Sequence, residues 1–331
     1  MNVGIVGLGF MGATHAVTYT KLAGVRIAAV SARNAQRLSG DFSDVGGNLG
    51  LVLPNVDFSG ATKYTDWEEL IANPAIDAVD ICLPTDLHEC VAVAALSSGK
   101  HVLCEKPMAL TAKDCDLMLA RAEETGRILM IGHVLRFWPA YQYLHQFVAR
   151  SEFGPVQTAT FTRMCGLPDW SSWLPNTTRS GGAVLDLLVH DLDQILLLFG
   201  TPKAVRAKAL GNFDAVTATL LYPNGPEIRL QGGWMASETP FSMAFQVRTA
   251  RALLELGPNG LTLSDADGKQ HKIQVPDANP YTAQLSYFQQ CCESGRKPDR
   301  CPPEAAAAAV KVALLLKRSR DLDGEEIPCA L

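Results

Sequence analysis

The sequence lacks any C-x-x-C pair. Its nine cysteines stand singly apart from Cys291 and Cys292, and an odd number cannot all pair. Neither a disulfide-stapled scaffold nor a zinc site is expected, no metal is assigned, and a reducing cytoplasm suits such thiols. Basic excess is also missing: 29 Lys and Arg face 34 Asp and Glu, for a net charge of −5. A nucleic-acid binder would carry a basic face, so that partner class is not expected. No apolar run approaches the roughly 18 residues a membrane span needs, and Met1 to Gly12 has no basic leader before its first strand. Low-complexity tracts are absent as well.

What is present is an ordinary globular balance over 331 residues, 47% apolar and 19% charged, enough for two domains with cores of their own. Up to about residue 130, short apolar strands (Val3–Val6, Val25–Val30, Ala78–Leu83, Val102–Cys104, Ile128–Ile131) alternate with helical stretches at Trp67–Ala72, His88–Ser97 and Ala112–Thr125. That rhythm predicts a doubly wound parallel sheet, a Rossmann domain over residues 1–131. Gly40–Thr62, rich in Gly, Ser and Asp, interrupts it and reads as a long loop or insertion. Beyond His133 one helix is expected over Ala183–Phe199. Strand-like runs then follow at Val205–Ala209, Ala215–Tyr222, Glu227–Trp234, Ala244–Thr249 and Ala252–Leu256, separated by Asn-Gly and Asp-Gly turns. Residues 132–331 thus read as an α+β domain with a large, mostly antiparallel open sheet. Its closing helix, Pro303–Arg320, is placed to pack back on the first domain. The fold class is α/β.

Gly7-Leu8-Gly9-Phe10-Met11-Gly12 follows a strand and opens a helix. Gly7 permits the tight turn, Gly9 lets backbone N–H groups approach a pyrophosphate, and Gly12 lets helix and strand pack closely. The helix N-terminus faces the phosphates with its positive dipole end. A ribose-binding carboxylate is expected about 20 residues further on, but Ser31 stands there, followed by Arg33 and Arg37. A serine with arginines suits a 2′-phosphate, so NADP(H) is favoured over NAD(H); a solvated helix start is the plainer reading of the arginines.

Three more segments carry chemistry: Leu83-Pro84-Thr85-Asp86-Leu87-His88, Cys104-Glu105-Lys106-Pro107, and Gly181-Gly182 followed by Asp186, His190 and Asp193. Asp186 and His190, spaced i,i+4, would share one helix face. An imidazole suits proton transfer near neutrality, and the carboxylate would orient it or meet substrate hydroxyls. Asp193 reads equally as a site residue or a structural one. Lys106 sits just past a strand's carboxyl end, where its ammonium would stabilise charge on a reacting oxygen.

With the glycine loop, these segments resemble the Gfo/Idh/MocA family of sugar and cyclitol dehydrogenases over nearly the whole chain. The resemblance implies Lys106, Asp186 and His190 as the catalytic set and a Lys106–Pro107 bond that is often cis. It lines Gly7, Gly9, Phe10, Met11, Gly12, Leu83, Pro84, Thr85 and His88 along the cofactor and puts Glu105 near the nicotinamide ribose. His88 reads equally as an ordinary helix-start histidine. On the substrate side it implies Arg136. Trp170 and Trp173, near Asp169 and Arg179, are either flat faces for a sugar ring or a packed lid, and Tyr281 is a further hydroxyl-binding candidate. The expected partner is a sugar or polyol. A homodimer or homotetramer is expected through an exposed sheet face offering Trp234, Phe245 and Leu254. Two other functions fit the same motifs: redox-assisted glycoside cleavage or aldose–aldose exchange with a retained nicotinamide, and a non-catalytic dinucleotide-sensing regulator.

Overall fold

The computed structural model describes residues 1–47 and 52–330; residues 48–51, within the expected Gly40–Thr62 loop, and Leu331 lie outside the described residues. Six parallel strands form the first sheet: β1 (Asn2–Val6), β2 (Arg26–Ser31), β3 (Thr62–Tyr64), β4 (Ala78–Ile81), β5 (His101–Cys104) and β6 (Leu129–Ile131). Their order is β3-β2-β1-β4-β5-β6, a doubly wound arrangement whose reversal point lies between β1 and β4. The inner strands β1, β4, β5 and β6 are mostly apolar and buried because helices cover both faces, whereas the edge strand β3, Thr62–Tyr64, is polar and largely exposed. The helices are α1 (Phe10–Tyr19), α2 (Ala35–Ser39), α3 (Trp67–Ala72), α4 (His88–Ser97) and α5 (Ala112–Thr125). Strand β3, at the end of the expected loop, pairs with β2 from Ala29↔Thr62 to Ser31↔Tyr64.

The glycine turn is built as its residue types require. Gly7 has φ +92°, and its N–H donates to the Ser31 carbonyl at 2.9 Å. A Cβ on Gly12 would lie 1.9 Å from the Gly7 carbonyl oxygen, whereas one on Gly9 would meet nothing within 4 Å.

The second half adds α6 (Pro139–Arg150), β7 (Val156–Gly166), α7 (Thr177–Ser180), α8 (Ala183–Asp186), α9 (Val189–Phe199), β8 (Ala204–Ala209), β9 (Asp214–Leu221), β10 (Glu227–Met235), β11 (Ser242–Thr249), β12 (Ala252–Gly257), β13 (Gly260–Asp265), β14 (Gln270–Lys272), α10 (Pro280–Ser294), α11 (Pro303–Asp321) and β15 (Ile327–Pro328). Nine strands form one sheet in the order β14-β13-β12-β11-β7-β10-β9-β8-β15. It is antiparallel except where β10 runs parallel to β7. Helices α8, α9 and α11 pack on the sheet, while α10 returns to lie against α1.

Three expectations change. Strand β7, the centre of the sheet, was not foreseen, because its inward positions include an arginine, Arg163, among Ala159, Phe161 and Cys165. The single helix expected over Ala183–Phe199 is two helices, interrupted at Leu187–Leu188. Trp234, Phe245 and Leu254, expected on an exposed face, are 3%, 1% and 0% exposed. They belong to the side the helices cover. The open side instead presents Thr158, Thr160, Thr162, Arg229, Gln246 and Arg248, a polar face and not the apolar patch expected.

The two glycines separate close packing from open space. Gly12→Ala should cost about 1–3 kcal/mol by overpacking, read as a lower urea midpoint. Gly9→Ala should unfold at nearly the wild-type midpoint.

Candidate active site

A cleft of about 390 Å³ opens at the carboxyl ends of β1, β4 and β5, with the second sheet and α9 forming its far wall. Gly7, Gly9, Phe10, Met11, Leu83, Pro84, Glu105 and Lys106 line the first side; Arg163, Trp170, Trp173, Asp186, His190 and Tyr281 line the second.

The glycine loop fits a dinucleotide phosphate. Gly9 caps α1 without a side-chain hydrogen bond, so the first-turn N–H groups are left for an anion, and the bare Cα of Gly9 faces open space. The expected 2′-phosphate pocket is less complete. Ser31 is buried at the end of β2. Arg37 forms an ion pair with Asp44 within the loop, so its charge is already committed. That leaves Arg33, which is exposed and has no ion pair among the described residues.

Gly12, Ser31, Arg33 and Arg37 do not line the cleft, and neither do the expected contacts His88 and Thr85. His88 is buried, its Nδ1 2.8 Å from the Pro107 carbonyl and its Nε2 2.8 Å from the Leu83 carbonyl. It ties together the two segments that do line the cleft. Thr85 is buried nearby, and its hydroxyl finds no partner.

Lys106 and Asp186 meet directly. The Lys106–Pro107 bond is cis. Lys106 Nζ donates to the Asp186 carbonyl at 2.8 Å and to its Oδ1 at 3.1 Å. In an uninterrupted helix that carbonyl would accept from the His190 N–H, so the break after Asp186 frees it for the ammonium. The expected Asp186–His190 pairing is therefore replaced by Asp186–Lys106. Asp214 fixes this short helix by accepting from the Ala183 N–H at 2.6 Å, and Arg320 holds Asp214 at 2.9 Å.

His190 lines the cleft with its Nδ1 buried and unpartnered. Burial, aided by the charges of Lys106 and Arg163 and by His133, holds its pKa well below the histidine value of 6.5. The resting imidazole is neutral, a proton acceptor. Arg163 had no sequence signal beyond an inward position on a strand that was itself missed. It is buried, with Nε 2.6 Å from Asp191 Oδ2 and Nη2 3.1 Å from Oδ1.

Arg136, expected to face the substrate, does not. Its Nε and Nη2 grip the Asp193 carboxylate at 2.6–3.1 Å, and Nη1 donates to the Arg300 carbonyl at 3.0 Å. Both side chains are buried, which assigns Asp193 to structure as well.

The walls are aromatic. Trp138, Trp170, Trp173 and Trp234, four of the five tryptophans, line the cleft. Trp170 is 43% exposed and sits 6.4 Å, centroid to centroid, from Phe10 across the mouth. Burial raises the Tyr281 phenol far above 10, so it stays a hydrogen-bond donor. No described helix is long and apolar enough to cross a membrane.

Residues 1–133 match the Gfo/Idh/MocA oxidoreductase family's NAD-binding Rossmann domain, and residues 141–254 match that family's C-terminal domain. The UDP-N-acetylglucosamine 3-dehydrogenase of Acidithiobacillus ferrooxidans is 31% identical over 72% of this chain and 68% of its own. The D-xylose 1-dehydrogenase (NADP(+)) 2 of Haloferax volcanii is 27% identical over 90% of this chain and 91% of its own. The crystal structure of aldose-aldose oxidoreductase from Caulobacter crescentus superposes with a TM-score of 0.85 at 22% identity, covering 99% of both chains. At that identity the likeness is one of fold.

The two arginines dropped from or peripheral to the site separate buried from exposed ion pairs. Arg136→Ala strands a buried Asp193 and should cost about 3–5 kcal/mol in denaturant unfolding. Arg179→Ala breaks a partly exposed pair with Asp86 and should cost at most about 1 kcal/mol.

Proposed function

The chain belongs to the Gfo/Idh/MocA family of oxidoreductases with an NAD-binding Rossmann fold, and from that premise we propose that it interconverts a secondary alcohol and a ketone on a sugar, sugar derivative or cyclitol. The observation that carries the reading is the convergence of Lys106, Asp186 and a neutral His190 in one cleft with the glycine loop. A nicotinamide dinucleotide held at the glycine loop by Gly7, Gly9 and the start of α1 would supply hydride exchange with the carbinol carbon.

In the oxidative direction His190 accepts the hydroxyl proton. Two of the three Lys106 N–H groups are held by Asp186, which leaves one for the substrate oxygen as charge builds on it. The pairing orients the ammonium and keeps it from swinging out of the cleft. Glu105, on the cleft wall, would accept from the ribose hydroxyls of a bound nicotinamide nucleotide. The tryptophan walls pack on the C–H faces of a sugar ring while Tyr281 donates to a hydroxyl. NADP(H) preference is supported by Ser31 in place of a carboxylate and by the uncommitted Arg33; the Haloferax relative carries NADP(+) in its name.

Steady-state kinetics with sugars and cyclitols, followed at about 340 nm, test the assignment. His190→Ala and Lys106→Ala should each lower kcat by at least about 100-fold with cofactor affinity intact, and Asp186→Asn should lose less. Because the His190 pKa is depressed, it stays unprotonated, and oxidation should hold its rate, as pH falls through 6.5; a decline centred there would remove His190 as the base. Product formed without stoichiometric release of reduced cofactor would favour exchange chemistry. Calorimetry should show tighter binding of NADPH than of NADH; the reverse order would dismiss the Ser31 and Arg33 argument.

A further inference from the structure

Beneath the glycine loop lies a buried polar cluster of which the proposed reaction uses only Glu105. His15, on α1, is fully buried with Nδ1 2.8 Å from Asp80 Oδ2 at the end of β4. Its other nitrogen, Nε2, is buried, makes no hydrogen bond and faces Glu105 Oε1 at 3.4 Å. Glu105 borders the cleft, and its Oε2 accepts from the Lys106 N–H at 3.2 Å. Behind it is Gly132, where a Cβ would lie 2.5 Å from Oε1. The carboxylate thus occupies a slot bounded by an imidazole, a backbone N–H and a bare Cα, with its remaining side toward the cleft.

We propose that Asp80 and His15 are positioning residues that hold Glu105 as an oriented anion in the cleft, so that cofactor affinity depends on the proton carried by His15. The inference rests on placing the nicotinamide ribose beside Glu105, as in the proposed function. Two carboxylates around a neutral ring in a buried site would repel one another, and an imidazolium between them offsets both.

Charge in this cluster moves among few groups. Burial by itself lowers the His15 pKa, but the charge and hydrogen bond of Asp80 and the charge of Glu105 outweigh it and hold His15 above 6.5. Burial, joined by the charge of Asp80, raises Glu105 above the usual carboxylate value, and the charges of His15 and Lys106 limit that rise without cancelling it. The other titratable groups facing the cluster are Tyr19 on α1 itself, Cys82 after β4, Cys104 on β5 and Tyr281 on α10. Burial keeps all four neutral by raising them. Binding that uses Glu105 as an anion beside a protonated His15 is strongest between two transitions: it weakens on the acid side as Glu105, raised above the usual carboxylate value, gains its proton, and on the alkaline side as His15 loses its own above 6.5.

The experiment is a fluorescence titration of NADH, a probe without a 2′-phosphate to ionise, across the pH range for four proteins. Wild type should weaken roughly tenfold through an inflection above the ordinary histidine pKa. Asp80→Asn should move the inflection to lower pH, His15→Gln should abolish it and bind roughly tenfold more weakly just below the wild-type inflection, and Glu105→Gln should match that loss. A purely structural role for the pair would lower thermal midpoints without displacing an inflection. A flat wild-type profile overturns the proposal whether or not the variants fold. So does an inflection unmoved in Asp80→Asn. Weak binding in Glu105→Gln beside normal binding in His15→Gln removes the pair but keeps the ribose assignment; normal binding in both removes the two together.

Discussion

Three acids on the short segment from Asp186 to Asp193 tie that segment to three other elements of the molecule. Asp186 takes Lys106 from the end of β5, Asp191 takes Arg163 from β7, and Asp193 takes Arg136 from the turn after β6. The Asp191 and Asp193 pairs are buried on both sides, where an unpaired carboxylate would be costly. Each acid therefore dictates where a cation from another element must sit. The segment connects the Rossmann sheet, the second sheet and the cleft between them.

The chemistry of the cleft follows from this bracing. Releasing the Asp186 carbonyl from the helix ladder is what lets one residue hold Lys106 through both backbone and side chain. With Asp191 engaging Arg163, a guanidinium stays buried close enough to His190 to help keep the imidazole neutral. The roles proposed for Lys106 at the oxygen and for a neutral His190 at the proton place opposite demands on neighbouring groups. They are met because the lysine has a carboxylate against it while the histidine's buried nitrogen has no partner.

On the first domain's side, the demand is for backbone approach. Gly7 and Gly12 bring β1 and α1 within a distance no side chain allows, which aims the start of α1 across the cleft. The same closeness carries His15 down to Asp80 and Glu105. The turn that would cradle the phosphates also sets the buried polar cluster behind Glu105.

What could be read from the sequence was what depends on neighbours in the chain. The parallel strands, the glycine turn, and the helices at Trp67–Ala72, His88–Ser97 and Ala112–Thr125 rest on short spacings, and Lys106, Asp186 and His190, singled out through the family resemblance, line one cleft. Helix α10 carried a local signal too, Asn279 capping before Pro280, and it went unread. Other outcomes lay beyond local pattern. Arg136 turned from substrate to brace because Asp193, 57 residues away, reached it. Arg37 was drawn off by Asp44, His88 was spent on two backbone carbonyls, and Trp234 faced the cleft instead of solvent. A side chain's type and spacing are set along the chain. Which partner neutralises a charge, and which face of a strand is covered, are decided by distances that exist only once the sheets have closed around the cleft.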